Sequence, residues 1–145
     1  MDEHGKRSWW RLEWLARVHE LADRELQLLA WLNPNPRTWN PHYSFIEYAT
    51  TYEDYANWPK RVEQGLISDE EAEIVAGLDD AIRGYQSPGG NDHDDEAILA
   101  DPAWLSITML AQTARSRLLL LLTDPEERSA LTERDENDIE AMRQA

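Results

Sequence analysis

Cysteine is absent from this chain of 145 residues. Its absence excludes disulfide bonds, thiolate metal sites, iron–sulfur clusters and cysteine nucleophiles. Long apolar runs are absent too, because the most apolar stretch, Pro102–Leu122, is interrupted by Gln112, Arg115, Ser116 and Arg117. A bilayer-spanning helix needs about 20 predominantly apolar residues, so this stretch is predicted to be a core helix. The N-terminus shows no apolar segment of a secretory signal, and we expect a cytoplasmic protein with no membrane partner.

Motifs that carry enzyme chemistry are also missing. The sequence contains no G-x-S-x-G nucleophile elbow. Its six glycines are scattered, and the pair Gly89-Gly90 stands in an acidic segment that would repel phosphate. The sequence therefore predicts neither nucleophilic catalysis nor a phosphate-binding loop, and no organic cofactor is expected.

Negative charge, by contrast, is abundant and concentrated. The chain has a formal net charge of −15, and residues 68–101 hold eleven Asp and Glu side chains against one basic side chain, Arg83. Ten of the fifteen net negative charges therefore lie in this window, which is called the acidic surface below. Such a charge block attracts basic proteins and argues against nucleic acid as a partner. With seven Trp and 41% apolar residues, the chain is expected to fold.

The spacing of the apolar residues predicts helices throughout, and no stretch alternates with the period of two that is typical of strands. Ser68 and Glu71 form the pattern of a capping box at the start of one helix. The predicted helices cover about 8–32, 41–57, 68–85, 95–100 and 102–122, with a last helical segment from about residue 125. We therefore predict an all-α fold, an irregular antiparallel bundle of four to five helices. The bundle forms a single domain, with about 1–7 and 132–145 frayed and 86–95 an acidic loop.

The first predicted helix has two distinct faces. The face expected to be buried carries Trp14, Val18, Leu21, Leu28 and Leu32. On a continuous helix, Trp9 and Trp31 fall on the opposite, polar face. Large aromatic side chains away from the core are typical of cover by a neighbouring segment, or of a contact surface for a partner or a second copy.

The acidic surface contains the predicted docking residues for a basic partner, which are Asp80, Asp92, Asp94, Asp95 and Glu96. Residues 91–96 also offer oxygen ligands for a cation, but they do not fit a calcium-binding loop. Counted from Asn91, the sixth place, which needs glycine, is Glu96, and the twelfth, which needs glutamate, is Pro102. A solvated acidic loop is therefore the preferred interpretation.

Two pairs of carboxylates are candidate ligands for a divalent metal. Glu20 and Asp23 follow His19 in a pattern that resembles a zinc-protease helix with aspartate in place of the second histidine. Glu70 and Glu73 form the second pair at helical spacing. The all-α nucleotide pyrophosphohydrolases gather such pairs around Mg²⁺ as E-x-x-E followed by E-x-x-D, and here that order is reversed.

These observations lead to one principal hypothesis and two alternatives. The principal hypothesis is a small acidic binding protein, of the inhibitor, antitoxin or immunity type, that docks a basic protein through the acidic surface. One alternative is a Mg²⁺- or Mn²⁺-dependent nucleotide phosphohydrolase that uses the carboxylate pairs. The other is a structural homodimer that buries Trp9 and Trp31. The simplest interpretation of the acidic surface remains a solvated face that keeps the chain soluble.

Overall fold

The computed structural model describes residues 2–32, 44–55 and 58–133, and every regular element within them is helical. The prediction of an all-α helical bundle is therefore confirmed. The α-helices in the described residues are α1 (Glu3–Ala22), α2 (Arg24–Trp31), α3 (Phe45–Tyr55), α4 (Trp58–Glu63), α5 (Asp69–Arg83), α6 (Asp95–Ala100), α7 (Pro102–Leu121) and α8 (Pro125–Thr132), with a 3-10 turn at Pro88–Gly90. The predicted start of the second helix and the segment 134–145 lie outside the described residues.

Three long helices form the centre of the bundle. Helix α1 packs against α7 and α8, and α5 packs against α7. Helix α7 runs antiparallel to α1 and α2: Gln112 donates to the carbonyl of Ala22 at 3.1 Å, whereas the earlier residue Trp104 donates to Gln27 at 3.0 Å. Helix α5 is likewise antiparallel to α7, since Tyr85, two residues past the end of α5, donates to the α7 N-cap Asp101 at 2.8 Å. None of the described helices is long and apolar enough to cross a bilayer.

The single helix predicted over 8–32 is in fact two helices. Helix α1 begins earlier than predicted, with Asp2 rather than Ser8 as its N-cap. At Asp23 the backbone leaves the helical conformation, and the Asp23 side chain caps α2 by accepting from the N–H of Leu26 at 3.1 Å. The side-chain amide of Gln27 then donates to two carbonyls at the end of α1, those of Glu20 and Leu21. Asp23 therefore ends one helix and begins the next, a signal that the apolar periodicity hides.

This break corrects the predicted position of Trp31. A new helix starts at Arg24, so the helical wheel extended from α1 assigns the wrong faces beyond Asp23. Trp31 is 5% exposed and packs against Phe45, Tyr48 and Trp104, while Leu28 and Leu32, expected to be buried, are exposed. Trp31 is therefore a core residue, and the proposed dimer contact through it is wrong. Trp9 is 56% exposed, as expected for its polar face.

The end of α7 departs from the prediction as well. The run Leu118–Leu122 was expected to be buried on more than one side because it is apolar all round. Leu118 and Leu122 are buried, but Leu120 is 86% exposed. Helices α1, α5 and α8 pack against α7, and Leu120 lies on its exposed side.

Arg11 joins α1 to two other helices through a buried ion network. Its guanidinium, on a residue only 4% exposed, donates to both carboxylate oxygens of Glu71 at 2.9 and 2.7 Å. It also donates to Glu127 in α8 at 2.6 Å and to the carbonyl of Leu66 at 2.8 Å. Glu71 completes the predicted capping box by accepting from the N–H of Ser68 at 2.8 Å. Burial alone would raise the pKa of Glu71, but the hydrogen bonds from Arg11 and Ser68 outweigh it and lower that pKa.

We expect Arg11→Met to lower the free energy of unfolding by about 3–5 kcal/mol, because it leaves the buried carboxylate of Glu71 and the partly buried carboxylate of Glu127 without their cation. Urea unfolding near neutral pH measures this change. Lys6→Met is the control, because the 3.8 Å pair of Lys6 with Glu3 is exposed and surface pairs contribute little. Equal losses in the two variants would contradict the central role of Arg11.

Candidate cation-binding cleft

A cleft of about 250 Å³ lies between α3 and α5 and opens onto the acidic surface. The aromatic rings of Phe45, Tyr52 and Tyr85 line it, and the carboxylates of Asp79 and Asp92 stand among them. Apolar and small side chains complete the lining, namely Ile46, Ala49, Thr50 and Ile82, with Arg83 at its edge. Aromatic walls with carboxylates are the environment that proteins use to bind ammonium and guanidinium groups.

Helix α3 is held in place by contacts on two sides. Phe45, Tyr48 and Tyr52 recur at spacings of three and four, so they lie on one face of the helix. Tyr48 is fully buried, and its hydroxyl donates to the carbonyl of Arg17 in α1 at 2.6 Å. The first turn of α3 is fixed from the acidic loop, because the N–H of Phe45 donates to Asp95 at 2.9 Å. The aromatic wall of the cleft is therefore anchored to both α1 and the acidic loop.

Asp79 is the buried acid of the cleft. It is 7% exposed, and its Oδ2 receives the Nε–H of Arg83 at 3.1 Å. Its other oxygen, Oδ1, is buried without a hydrogen-bond partner. Burial raises the pKa of Asp79 above its ordinary value of 3.8. The charge of Arg83 opposes this rise, and the neighbouring Asp80 adds to it. A carboxylate oxygen in this state gains most from a cationic guest, because burying an unpaired acceptor costs free energy.

Hydrogen bonds fix the two cleft residues that follow α5, Tyr85 and Asp92. The hydroxyl of Ser87 donates to Asp92 across a short hydrogen bond. The hydroxyl of Tyr85 donates to Asp101, and its pKa is raised by burial first and by Asp101 second. Tyr85 also packs edge-on against Phe45, with ring centroids 5.8 Å apart. The cleft is therefore bordered by side chains whose orientations are already set.

The acidic residues predicted from the sequence divide into two groups. Asp94 caps α6 by accepting from the N–H of Ala97 at 3.1 Å, and Asp95 holds the first turn of α3. Burial raises the pKa of Asp95, although the hydrogen bond from the Phe45 N–H acts in the opposite direction. Asp80, Asp92 and Glu96 are exposed, and of these Asp92 lines the cleft. Only the second group is free of a helix-capping task.

Sequence reasoning missed Asp79, which is the deepest acid of the site. A signal was present, because Asp79 follows Val75 by four residues and so shares the buried side of α5. A charged residue on such a face demands a partner or a function. The contribution of Tyr52 and Tyr85 had no comparable signal, because it depends on how α3 packs beside α5.

The two carboxylate pairs proposed as metal ligands occupy different environments. Glu20 is 1% exposed and lies 3.4 Å from the guanidinium of Arg17, while Asp23 caps α2 and lies 3.4 Å from the ring of His19. Glu70 and Glu73 are exposed on α5. Across residues 2–32, 44–55 and 58–133, no three or more His, Asp or Glu side chains are grouped so that they could hold a metal ion.

No protein-family model, curated protein or solved structure matches this chain.

We expect Asp79→Asn to increase the free energy of unfolding at about pH 7. The raised pKa of Asp79 means that the folded protein favours the neutral carboxyl, so this group stabilises the fold below pH 3.8 and loses that effect as the pH rises through its folded value. Asparagine removes the cost of the buried charge, and the advantage shrinks below pH 3.8.

Thermal and urea unfolding at about pH 7 and below pH 3.8 test this expectation. Asp80→Asn is the matched control, because it removes one negative charge from the neighbouring, exposed position. An Asp79→Asn variant that is less stable than the wild type at about pH 7 would show that the carboxylate is well compensated within the fold.

Proposed function

We propose that this protein binds a basic protein partner through the acidic surface, and that the cleft between α3 and α5 receives a lysine or arginine side chain of that partner. The observation that carries the proposal is the buried Oδ1 of Asp79, which has no hydrogen-bond partner and lies in a cleft with aromatic walls. An incoming cation supplies the missing hydrogen bond and the compensating charge together.

The distribution of charge supports a protein rather than a small ion as the guest. Exposed carboxylates extend from Glu70, Glu73 and Asp80 on α5 to Asp92 and Glu96 in and beside the acidic loop. A field of this extent accelerates the encounter with a basic protein surface and orients it. The cleft then supplies a deep, desolvated contact, the kind that dominates binding energy at protein interfaces.

In the unbound protein, Arg83 already pairs with the buried acid of the cleft, Asp79. Its Nε–H already occupies one oxygen of Asp79, but 58% of its side chain is exposed. The pair is an intramolecular example of the contact that we propose, because a guanidinium on a largely exposed side chain contacts the carboxylate. In the proposed complex, a partner side chain adds a second cation at Oδ1, the oxygen that Arg83 leaves without a hydrogen bond.

A titration of ¹⁵N-labelled protein with a hexa-arginine peptide tests the proposal. We expect the largest amide shifts at residues 45–50, 79–85 and 91–96, which surround the cleft, and weaker binding as NaCl rises from about 0.05 to 0.3 M. The double variant Asp79→Asn, Asp92→Asn should bind the peptide at least about tenfold more weakly, since it removes both carboxylates of the cleft.

The control is Glu70→Gln, Glu73→Gln, which removes the same charge from exposed positions of α5 outside the cleft. We expect it to reduce affinity only through the general field. Equal losses in the two double variants, or shifts spread evenly over all acidic residues, would reduce the binding to non-specific charge attraction and overturn the role of the cleft.

A further inference from the structure

The outward half of α7 exposes two groups of large apolar side chains, Leu105, Met109 and Leu110 in its first half and Leu120 and Leu121 at its end, of which Met109 is 59% and Leu120 86% exposed. Gln112, Thr113, Ser116 and Arg117 are exposed between the two groups. Exposed apolar patches of this kind mark contact surfaces.

The same half of the helix carries no negative charge. Helix α7 contains neither Asp nor Glu over Pro102–Leu121, in a protein with 29 such residues, and the charged side chain on its exposed half is Arg117. Two copies of a chain with a net charge of −15 repel each other at most orientations. The α7 face is where they can meet with little repulsion.

The pattern along this face fits a helix as the occupant. Exposed residues stand alternately four and three apart at Pro102, Ser106, Met109, Thr113, Ser116 and Leu120. The spacing is that of a helix pair, with Met109 and Leu120 as its large apolar members and Ser106, Thr113 and Ser116 small enough to permit close approach. The hydroxyls of Thr113 and Ser116 donate to carbonyls of their own helix at 3.3 and 3.1 Å, so both can be buried without losing a partner.

The charges at the two ends of α7 select an antiparallel pair. The acidic segment 91–96 and α6 immediately precede the start of α7, whereas Arg117 lies near its end. A parallel pair would place two acidic segments side by side. An antiparallel pair separates them by about 30 Å, the length of the helix, which is well beyond the screening length of about 10 Å. It also brings Arg117 of each copy toward the acidic end of the other.

We infer that a second copy of this chain covers the exposed face of α7, forming a two-fold symmetric dimer in which the two α7 helices pack antiparallel. The same patch serves both partners, as two-fold symmetry requires. Two such faces bury on the order of 1,000 Å² together, which reaches the lower range of specific interfaces. None of the exposed α7 residues lines the α3–α5 cleft, so the dimer leaves the cleft lining uncovered.

Sedimentation equilibrium over a range of protein concentrations is the first test. We expect a reversible dimer whose dissociation constant falls as NaCl is raised, because salt screens the repulsion between two acidic copies. Met109→Glu should weaken dimerisation at least about tenfold by placing a charge in the centre of the apolar face. Ala76→Glu, which adds the same charge at an exposed position of α5, should dimerise with a dissociation constant close to that of the wild type.

The absence of cysteine allows the orientation to be read directly. Single-cysteine variants Leu105→Cys and Leu120→Cys are mixed and treated with a short bis-maleimide. In the antiparallel pair the two positions lie near each other across the interface, so mixed cross-linked dimers should greatly exceed those formed by either variant alone. Dimers formed only within each variant would show a parallel pair and overturn the arrangement.

A monomer at every concentration and salt would overturn the dimer itself, and so would an association that Met109→Glu and Ala76→Glu weaken equally. Circular dichroism of each variant confirms that its fold is retained. The dimer is strengthened by salt and the proposed docking of a basic partner is weakened by it, so failure of one leaves the other intact.

Discussion

The buried guanidinium of Arg11 ties together parts of the chain that lie far apart in sequence. It contacts the start of α5 through Glu71 and α8 through Glu127, and a backbone carbonyl at Leu66 receives a further N–H. Removing two carboxylates and a cation from water is costly, and only such complete pairing offsets that cost. The network fixes the start of α5 against α1, and the direction of α5 in turn determines where Asp79 lies. The cleft therefore depends on an ion network at the opposite end of the same helix.

Local signals predicted much of this architecture. The capping box at Ser68 and Glu71, the start of α7 at Asp101-Pro102 and the short helix Asp95–Ala100 could be predicted because each depends on neighbouring residues. The break at Asp23 could not, since the apolar spacing continues through it and the bonds that stabilise it come from Gln27 and Trp104. That one break reverses the assigned positions of Trp31 and Leu28. Errors in a helical wheel propagate from a single missed cap to every residue after it.

The acidic surface shows why net charge alone is a poor guide to a site. Its carboxylates have three different tasks: capping helices, as at Asp94; holding a neighbouring helix, as at Asp95; and facing a cleft, as at Asp79 and Asp92. The sequence indicates how many acids are present, but the packing of α3 beside α5 decides which of them remain available. The exposed face of α7 carries no acid, so the apolar contact that we propose there is distinct from the charge-driven contact that we propose for the acidic surface. We expect the two contacts to respond in opposite directions to salt.

The most direct test of the cleft is the ¹³Cγ resonance of Asp79 followed as a function of pH, with and without methylguanidinium. A buried carboxylate with an unpaired oxygen should titrate above its ordinary value of 3.8 in the free protein. A bound cation favours the ionised form, so the midpoint should move to lower pH when methylguanidinium is present. Converted to free energy, that shift equals the contribution of the Asp79 charge to binding. An identical midpoint in both titrations would show that the cation does not reach Asp79 and would contradict the account of this site.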